Sequence, residues 1–360
     1  MRKKTRIRVV VGMSGGVDST AAAALLQKKG YEVIGMTMAL STPASRCCSE
    51  QDVHDARRMA HKLGILHYVI PMHGPFQERV IAYFASEYAA GRTPNPCAVC
   101  NPAIKFGELL RKAREAGGEL LATGHYARIT RDPGNGRFLL RRGRERGKDQ
   151  SYFLARLSQE ALGWTLFPVG GFPKAKIRGL AESLGLDVSR KRDSQDVCFV
   201  PDSGVLSYLE SLRGSPFPPG PIRDRPGRLL GEHRGIAGYT IGQRRGLGIA
   251  AKNPLYVTGI DAESNTVFVG EEKELYGDAC LASDPNWIAE GDIPETLRAH
   301  VRIRYKHRAA KALIEKRDGG TIRIRFDRPQ RAVTPGQLAV FYRGDVVLGS
   351  AWIDSVLNLS

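Results

Sequence analysis

A chain of 360 residues, 42% of them hydrophobic, is too long for a typical single domain, so we expect two or three compact units. Lysine and arginine outnumber aspartate and glutamate by 54 to 37, and the formal net charge of +17 favours a large polyanion as partner over a merely basic surface. No window holds the roughly 20 apolar residues that cross a bilayer, so no membrane partner is expected. The basic start leads into a glycine loop rather than a cleavage site, which predicts a cytoplasmic protein.

Residues 1 to about 130 alternate apolar β-branched runs with amphipathic segments, the pattern of a parallel sheet with crossover helices. Strands are predicted in RIRVVVG, YEVIGMTM, LHYVI and ELLATGHY. Helices are predicted between them, each ending at or near glycine, in STAAAALLQKKG, SEQDVHDARRMAHKLG, PFQERVIAYFASEYAAG and IKFGELLRKAREAGG. The fold class is therefore α/β, beginning with a doubly wound parallel-sheet domain.

The remainder of the chain changes character in steps. A hairpin is predicted from Arg128 in RITRDPGNGRFLLRRGRER, followed by KDQSYFL and two helical stretches ending near DSQDVCFV. SPFPPGPIRDRPG is predicted to be a linker, after which short strands and turns run to about residue 280. Alternating strands in the last eighty residues suit a small antiparallel barrel. The predicted domains are 1–204 (catalytic, nucleotide-binding), 205–280 (small, mainly β) and 281–360 (β-barrel).

A glycine-rich turn, Ser14-Gly15-Gly16-Val17-Asp18-Ser19, directly follows the first predicted strand and opens an Ala-rich helix. Ligands of doubly wound sheets collect at the carboxyl ends of strands, where such a turn presents backbone N–H groups to phosphate. Ser14 and Ser19 can donate hydroxyls, and Asp18 can help hold a magnesium ion that carries the phosphates. The turn lacks the lysine of a Walker A loop. It predicts a nucleotide site, with a ligand-free tight turn as the alternative.

Six cysteines in a long chain without a secretory signal are expected to be reduced, catalytic or metal-binding. In GRTPNPCAVCN, a Pro-rich loop ends at a helix start, where the helix dipole favours a thiolate and makes Cys100 a candidate nucleophile. Cys198, in DSQDVCF, is the second thiol of interest. The adjacent Cys47 and Cys48 make a poor chelating pair and are interpreted as loop or core thiols, and Cys280 as an ordinary buried thiol.

The nucleotide turn resembles the SGGxDS pyrophosphate-binding loop of ATP pyrophosphatases, which split ATP between the α- and β-phosphates and adenylate a carbonyl oxygen. Six further motifs, in order and across nearly the whole chain, resemble the tRNA-specific 2-thiouridylase family: GRTPNPxxxCN, ATGHYAR, KDQSYFL, SQDVCF, GYTIGQRRGLG and RAVTPGQ. The resemblance implies that ATP adenylates the C2 oxygen of the wobble uridine of tRNA and that sulfur then replaces this oxygen. It also implies a sulfur donor as partner: a persulfide carrier, a desulfurase or sulfide.

The resemblance assigns residues to three groups. ATP binding falls to Gly12, Met13, Ser14, Gly15, Gly16, Val17, Asp18, Ser19, Met38 and Gly124. Contact with the target base falls to Asn95, Pro96 and Cys97, and contact with tRNA to His125, Lys148, Asp149, Gln150, Arg304, Tyr305 and Gln337. Lysine and arginine can meet phosphates, tyrosine can stack on bases, and glutamine can bond base edges or ribose. The turn at Gln243-Arg244-Arg245 can track backbone, or it is simply structural.

Two routes for the sulfur stay open. In the persulfide mechanism ascribed to the family, the position of Cys198 accepts sulfane sulfur and that of Cys100 attacks or resolves it, leaving a transient disulfide. The chain departs from the family at Cys97, where members commonly carry an aspartate placed to contact the target base or act as a base. Cys97, Cys100 and Cys198 would instead suit an iron–sulfur cluster with one iron left open for hydrosulfide.

Two other functions fit parts of the sequence. Another adenylating ATP pyrophosphatase, such as an amidotransferase-type synthetase or a tRNA lysidine-forming enzyme, would need no paired thiols. A non-catalytic RNA-binding protein could keep a relic nucleotide loop, but the intact Asp18 and both serines disfavour decay.

Overall fold

The computed structural model describes residues 6–40, 50–186, 197–291 and 294–358. The strands are β1 Arg8–Gly12, β2 Glu32–Ala39, β3 Leu66–Pro71, β4 Leu120–Thr123, β5 Ala127–Arg131, β6 Phe138–Arg142, β7 Thr165–Leu166, β8 Gly220–Asp224, β9 Leu229–His233, β10 Tyr256–Asp261, β11 Thr266–Gly270, β12 Tyr276–Trp287, β13 Thr296–Arg302, β14 Ala310–Lys316, β15 Ile322–Arg331, β16 Leu338–Arg343 and β17 Val346–Leu357.

The helices lie mostly in the first half of the chain. They are α1 Val17–Lys28, α2 Glu50–Lys62, α3 His73–Phe76, α4 Ala82–Ala89, α5 Pro96–Cys100, α6 Leu109–Glu115, α7 Ser151–Leu154, α8 Gln159–Gly163, α9 Lys174–Ser183 and α10 Val205–Arg213. Two π-helical stretches, Gln77–Ile81 and Asn101–Glu108, join α3 to α4 and α5 to α6. No helix in the described ranges is both long and apolar enough to cross a membrane.

The first sheet confirms the predicted doubly wound domain. Its five strands lie in the order β3-β2-β1-β4-β7, and all pairs are parallel. Val9, Val10 and Val11 of β1 are fully buried, as expected for a central strand with helices on both faces. Gly12 of β1 pairs in register with Thr123 of β4. The segments that follow these two strands therefore meet at one edge of the sheet.

The helix predicted from Ile104 starts earlier than expected. Helical structure begins at Pro96 and runs through α5, the π-helical stretch and α6 to Glu115. Pro102 lies inside this segment, and because proline has no N–H group the regular hydrogen-bond ladder is interrupted there, which accounts for the wider π turn. Since the segment leads to the start of β4, its N-terminal end lies toward the carboxyl edge of the sheet.

The predicted linker SPFPPGPIRDRPG is wrong as a linker, because β8 lies inside it. β8 pairs in parallel with β11 and antiparallel with β9, and together with β10 these strands form the second sheet, in the order β10-β11-β8-β9. Ile222 of β8 is fully buried beside Val257, Val267 and Val269. Its burial outweighs the turn-forming composition of the surrounding prolines and glycines.

The third sheet is the predicted antiparallel barrel. Strands β12-β15-β14-β13-β16-β17 follow one another, and the pairing of β12 with β17 closes the ring of six. The predicted hairpin forms as β5 and β6, but it leaves the first sheet and extends the barrel sheet, with Arg141 of β6 paired to Val346 of β17. β12 starts at Tyr276 and crosses the expected boundary at 280, while the division into 1–204, 205–280 and 281–360 stays a prediction.

Gly170 marks a close approach between the nucleotide domain and this hairpin. A Cβ at Gly170 would collide with the carbonyl group of Ala127 and lie 2.9 Å from its nitrogen, whereas a Cβ at Gly171 meets no atom within 4 Å. We expect Gly170→Ala to lower the free energy of unfolding by about 1–3 kcal/mol, as overpacked sites do, and Gly171→Ala to leave it nearly unchanged. Denaturant titration of both variants measures this. Equal stability of the two would contradict the close approach.

Candidate active site

The nucleotide loop, residues 12–19, joins β1 to α1 at the carboxyl edge of the first sheet. Gly15 has a φ of 65°, and a Cβ there would lie 2.5 Å from the carbonyl oxygen of Asp52, so glycine is required between the loop and α2. The Ser14 N–H donates to Ser19 Oγ at 3.2 Å, and Ser19 Oγ donates to the Gly16 carbonyl at 3.2 Å. No described side chain caps α1, whose first N–H groups can therefore receive an anion.

Asp18, in the first turn of α1, has two partners that sequence reasoning missed. Lys174 Nζ lies 2.8 Å and 2.6 Å from the two carboxylate oxygens, and the Tyr126 hydroxyl donates to Oδ1 at 2.7 Å. Lys174 is the first residue of α9, is only 7% exposed, and follows Asp18 by 156 residues. The loop thus does have a lysine, supplied from a distant helix rather than from within the motif.

The two expected adenine-nucleotide contacts differ in their surroundings. Gly124 follows β4, and a Cβ there would lie 2.6 Å from the Ser19 nitrogen, so this glycine allows the β4 edge to touch the start of α1. Met38, near the end of β2, is 7% exposed and packs in the hydrophobic core. Met13 and Val17 are also buried, which leaves mainly their backbone groups to serve a nucleotide. Their roles stay predictions.

The thiol loop, residues 91–101, leads into the helical segment that ends before β4. Asn95 caps α5 by accepting a hydrogen bond from the Ala98 N–H at 3.3 Å, and Cys97 and Cys100, both half-buried, follow in the helix. A Cβ on Gly12 would lie 3.4 Å from Leu109, so α6 begins beside the end of β1 and the residues before it project toward the nucleotide loop. The expected helix start beside Cys100 needs correction, because the first turn holds Cys97. Cys100 is the last residue of α5.

The barrel holds the thiol loop from the other end of the chain. Thr93 N–H donates to the Pro335 carbonyl at 3.0 Å, and Gln337 Nε2 donates to the carbonyls of Thr93 and Pro94 at 2.9 and 3.0 Å. Gly336 has a φ of 87°, and a Cβ there would lie 2.8 Å from the Thr93 oxygen. Gln337, which is predicted to contact tRNA, therefore hydrogen-bonds to the thiol loop in this structure.

Cys198 packs against the same hydrophobic cluster as Cys100. The next residue, Phe199, is buried edge-on against Phe76 and Phe84, with ring centroids 5.5 and 5.0 Å apart, and this fixes the backbone at Cys198. Burial raises the pKa of Tyr208, and the nearby Cys198 raises it further. The preceding DSQD residues, 193–196, lie outside the described residues, as do Cys47 and Cys48.

The iron–sulfur hypothesis stays a prediction that the geometry of the described parts of the chain does not support. Cys97, Cys100 and Cys198 all belong to those parts and are half-buried, yet no three His, Cys, Asp or Glu side chains there are arranged so that they could hold a metal ion. Cys280, in β12, is fully buried, and burial raises the pKa of its thiol to about 12. The Cys280 thiol is therefore an unreactive group of the hydrophobic core, as the sequence indicated.

Two residues of the KDQ motif that are predicted to contact RNA, Asp149 and Gln150, make hydrogen bonds within the protein. Asp149 is 2% exposed and accepts hydrogen bonds from the N–H groups of Gly143 and Ser151, both at 3.1 Å, with Arg302 Nη1 at 3.4 Å. Gln150 Oε1 accepts from the Tyr126 N–H at 2.9 Å. Lys148, half-buried at the end of a short 3₁₀ turn, precedes them. Asp149 and Gln150 thus shape the segment that presents Lys148.

Arg304 and Tyr305 lie in a cluster with the aromatic part of KDQSYFL. The Tyr305 ring lies 4.5 Å from that of Phe153, and Arg304 Nη1 donates to the Arg331 carbonyl at 2.9 Å. His125 lies between the rings of Phe106 and Phe167, 5.9 Å from each. Burial, helped by the charge of Lys105, lowers the pKa of His125 well below its ordinary value, so its imidazole is neutral at neutral pH.

The GQRR turn is held by its own glutamine. Gln243 Oε1 accepts from the Thr240 N–H at 3.1 Å and its Nε2 donates to the Arg245 carbonyl at 3.0 Å. Arg244 and Arg245 are exposed. Gln243 therefore has a structural role in the turn, whereas the cationic side chains of Arg244 and Arg245 lie at the surface.

A doubly wound sheet with an SGGVDS loop at its carboxyl edge, followed by two β domains, defines a nucleotide-binding enzyme of the HUP class. Family models match all three parts: a tRNA methyl transferase HUP domain at residues 7–202, a tRNA methyl transferase PRC-barrel domain at 207–271 and an aminomethyltransferase beta-barrel domain at 277–353. The order of the three models agrees with the order of the three sheets.

Full-length relatives give a finer assignment. The tRNA-specific 2-thiouridylase MnmA of Geobacter metallireducens is 49% identical over 99% of this chain and 100% of that protein. The enzyme of the same name from Moorella thermoacetica is 48% identical over 97% of this chain and 100% of its own length. The chain belongs to the tRNA-specific 2-thiouridylase family. A solved 4-thiouridine synthetase–RNA complex with bound ATP is 17% identical over 57% of this chain and 50% of that one, and its TM-score of 0.34 adds nothing to the assignment.

The inward position of Asp149 gives a testable expectation. Asp149→Ala would leave two buried N–H groups and Arg302 without their acceptor, so we expect a loss of about 2–4 kcal/mol in the free energy of unfolding. Lys148→Ala, one residue earlier, should leave the stability within about 0.5 kcal/mol of the parent protein. Chemical denaturation compares the two. If Asp149→Ala were as stable as Lys148→Ala, the carboxylate would not hold the segment together.

Proposed function

We propose that this chain catalyses the ATP-dependent 2-thiolation of the wobble uridine of tRNA in the cytoplasm. The observation that supports the proposal is that α6, in the helical segment that follows the thiol loop, packs Leu109 beside Gly12 at the start of the nucleotide loop. An adenylating site and a thiol nucleophile in the same domain suit the replacement of an oxygen by sulfur. The methyl transfer named in the family-model descriptions would need neither the SGGVDS loop nor the thiols.

The nucleotide loop would hold the phosphates of ATP on the first N–H groups of α1 and on the hydroxyls of Ser14 and Ser19. Asp18 fits a magnesium ion, because magnesium in such sites takes one or two carboxylates and completes its shell with phosphate oxygens and water. When bound, the ion would neutralise phosphate charge. Attack of the uridine O2 on the α-phosphorus then releases pyrophosphate and makes the oxygen part of a leaving group.

The thiols would complete the exchange by the persulfide route. The terminal sulfur of a Cys198 persulfide, loaded by an external donor, forms a bond to C2. The Cys100 thiolate attacks the Sγ of Cys198 and breaks the S–S bond, the C2–O bond breaks, and AMP departs. The product is 2-thiouridine with a Cys100–Cys198 disulfide, which a thiol reductant must reopen. Cys97 needs no part in these electron movements, and it replaces the aspartate common in the family.

The RNA would lie across the junction of the nucleotide domain and the barrel. Lys148, Arg304 and Tyr305 come from both sides of this junction, and the exposed Arg244 and Arg245 add charge. A uridine in the anticodon loop can leave its stack to reach both ATP and a thiol. The formal net charge of +17 supports binding of a polyanion of this size.

The proposal is tested with purified, iron-free protein, unmodified tRNA transcript, ATP and a small-molecule persulfide donor, followed by mass spectrometry of the nucleosides. We expect 2-thiouridine at the wobble position. Cys100→Ser and Cys198→Ser should each lose it while still forming AMP in the presence of tRNA, because adenylation does not use the thiols.

Cys97→Ser is the matched control, since it removes the third thiol from the same loop. It should keep 2-thiouridine formation within about an order of magnitude of the parent rate, as expected for a group outside the reacting atoms. Loss of thiolation in Cys97→Ser, together with less iron in the anaerobically purified variant than in the parent protein purified in the same way, would instead support a cluster. Unchanged product formation by Cys100→Ser and Cys198→Ser would overturn the thiol mechanism and favour another adenylating activity.

A further inference from the structure

The ion pair between the half-buried Asp18 and the buried Lys174 creates a conflict at the nucleotide loop. The ammonium lies within 2.8 Å of both carboxylate oxygens, so it occupies the electron pairs that a magnesium ion would use. The Tyr126 hydroxyl already donates to Oδ1. The carboxylate cannot serve the ammonium and a divalent cation in the same way at the same time, because the two positive charges would then repel each other at short range.

Lys174 cannot simply retreat into water. Its backbone is fixed at the start of α9, where its N–H donates to Glu145 Oε2 at 2.6 Å, and the residue is 7% exposed. Because its backbone is fixed, an ammonium that leaves Asp18 stays close to the nucleotide loop, where phosphate oxygens can accept charge-assisted hydrogen bonds from it. The anions expected beside Asp18 are the phosphates that lie on the N-terminus of α1.

We propose that Lys174 is the phosphate-binding cation of the nucleotide loop: it is seated on Asp18 in the nucleotide-free protein and exchanges the carboxylate for phosphate oxygens when ATP and magnesium bind. It thereby takes the part of the lysine that the loop itself lacks. Tyr126 stays on Asp18 and keeps the carboxylate oriented during the exchange. This inference rests on the proposed ATP-binding role of the loop.

The test is calorimetric titration with α,β-methylene-ATP and magnesium in the absence of tRNA, since this analogue cannot be split at the α–β position. Lys174→Met keeps the length and apolar stem of the side chain but removes the charge. We expect its affinity for the analogue to fall by about 10- to 100-fold, the size of a lost charge-assisted hydrogen bond. Affinity for AMP, which lacks the β- and γ-phosphates, should change much less.

Lys176→Met is the matched control, because Lys176 lies on the same helix, is exposed and covers the ring of Phe172 at 5.1 Å. It should bind the analogue like the parent protein. If Lys174→Met bound the analogue as tightly as the parent or more tightly, the lysine would only mask Asp18 and the proposal would fail. If Lys174→Met lost affinity for AMP and for the analogue equally, the substitution would have disrupted the whole site, and the proposal would also fail. A parent protein that did not bind the analogue at all would contradict the proposed function instead.

A second pair of variants covers the case in which Lys174→Met does not fold. Asp18→Asn leaves the ammonium without its carboxylate, and Asp18→Asn combined with Lys174→Met removes both charges and so avoids a lone buried carboxylate. Titrated with the analogue in the absence of magnesium, the single variant should bind about tenfold or more tightly than the double variant. Equal affinities would overturn the proposal.

Discussion

The amide of Gln337 carries the interaction on which the geometry of the active site depends. The thiol loop contains Pro94 and Pro96, which have no N–H groups, so the carbonyls around them cannot all be satisfied locally. Gln337 Nε2 supplies donors to the carbonyls of Thr93 and Pro94, and the Pro335 carbonyl accepts the Thr93 N–H. A loop that cannot organise itself is thus organised by the barrel, and α5 starts from this fixed point with Cys97 in its first turn.

The hairpin β5–β6 makes the same connection from the opposite direction. It leaves the nucleotide domain after Tyr126, whose hydroxyl holds Asp18, and adds to β17 of the barrel. The KDQ segment that follows β6 is closed by Asp149 onto Arg302, at the end of β13. The barrel is therefore connected to the thiol loop through Gln337, and to the nucleotide loop through the hairpin and the Tyr126 hydroxyl.

Much of the fold follows from local patterns, whereas the partners of the site residues do not. The strands, the SGGVDS turn and the barrel are visible because apolar periodicity and glycine spacing are local properties. Lys174 could not be predicted as a residue of the nucleotide site, because its partner Asp18 lies 156 residues away and the sequence FPKAK contains no recognisable motif. β8 could not be predicted because prolines surround it. The helix start at Pro96 could not be predicted because a proline-rich loop directly precedes it. Asp149 and Gln337 were assigned to RNA by resemblance, while their hydrogen bonds bind the protein to itself.

Hydrogen exchange of the thiol loop tests most directly whether the barrel organises it. Gln337→Met keeps the side-chain length but removes both donors, so amides of residues 92–100 should exchange about tenfold or more faster, as the loss of one to two hydrogen bonds predicts. Amides of β1 should be unaffected. Unchanged protection of residues 92–100 in this variant would contradict the dependence of the thiol loop on the barrel.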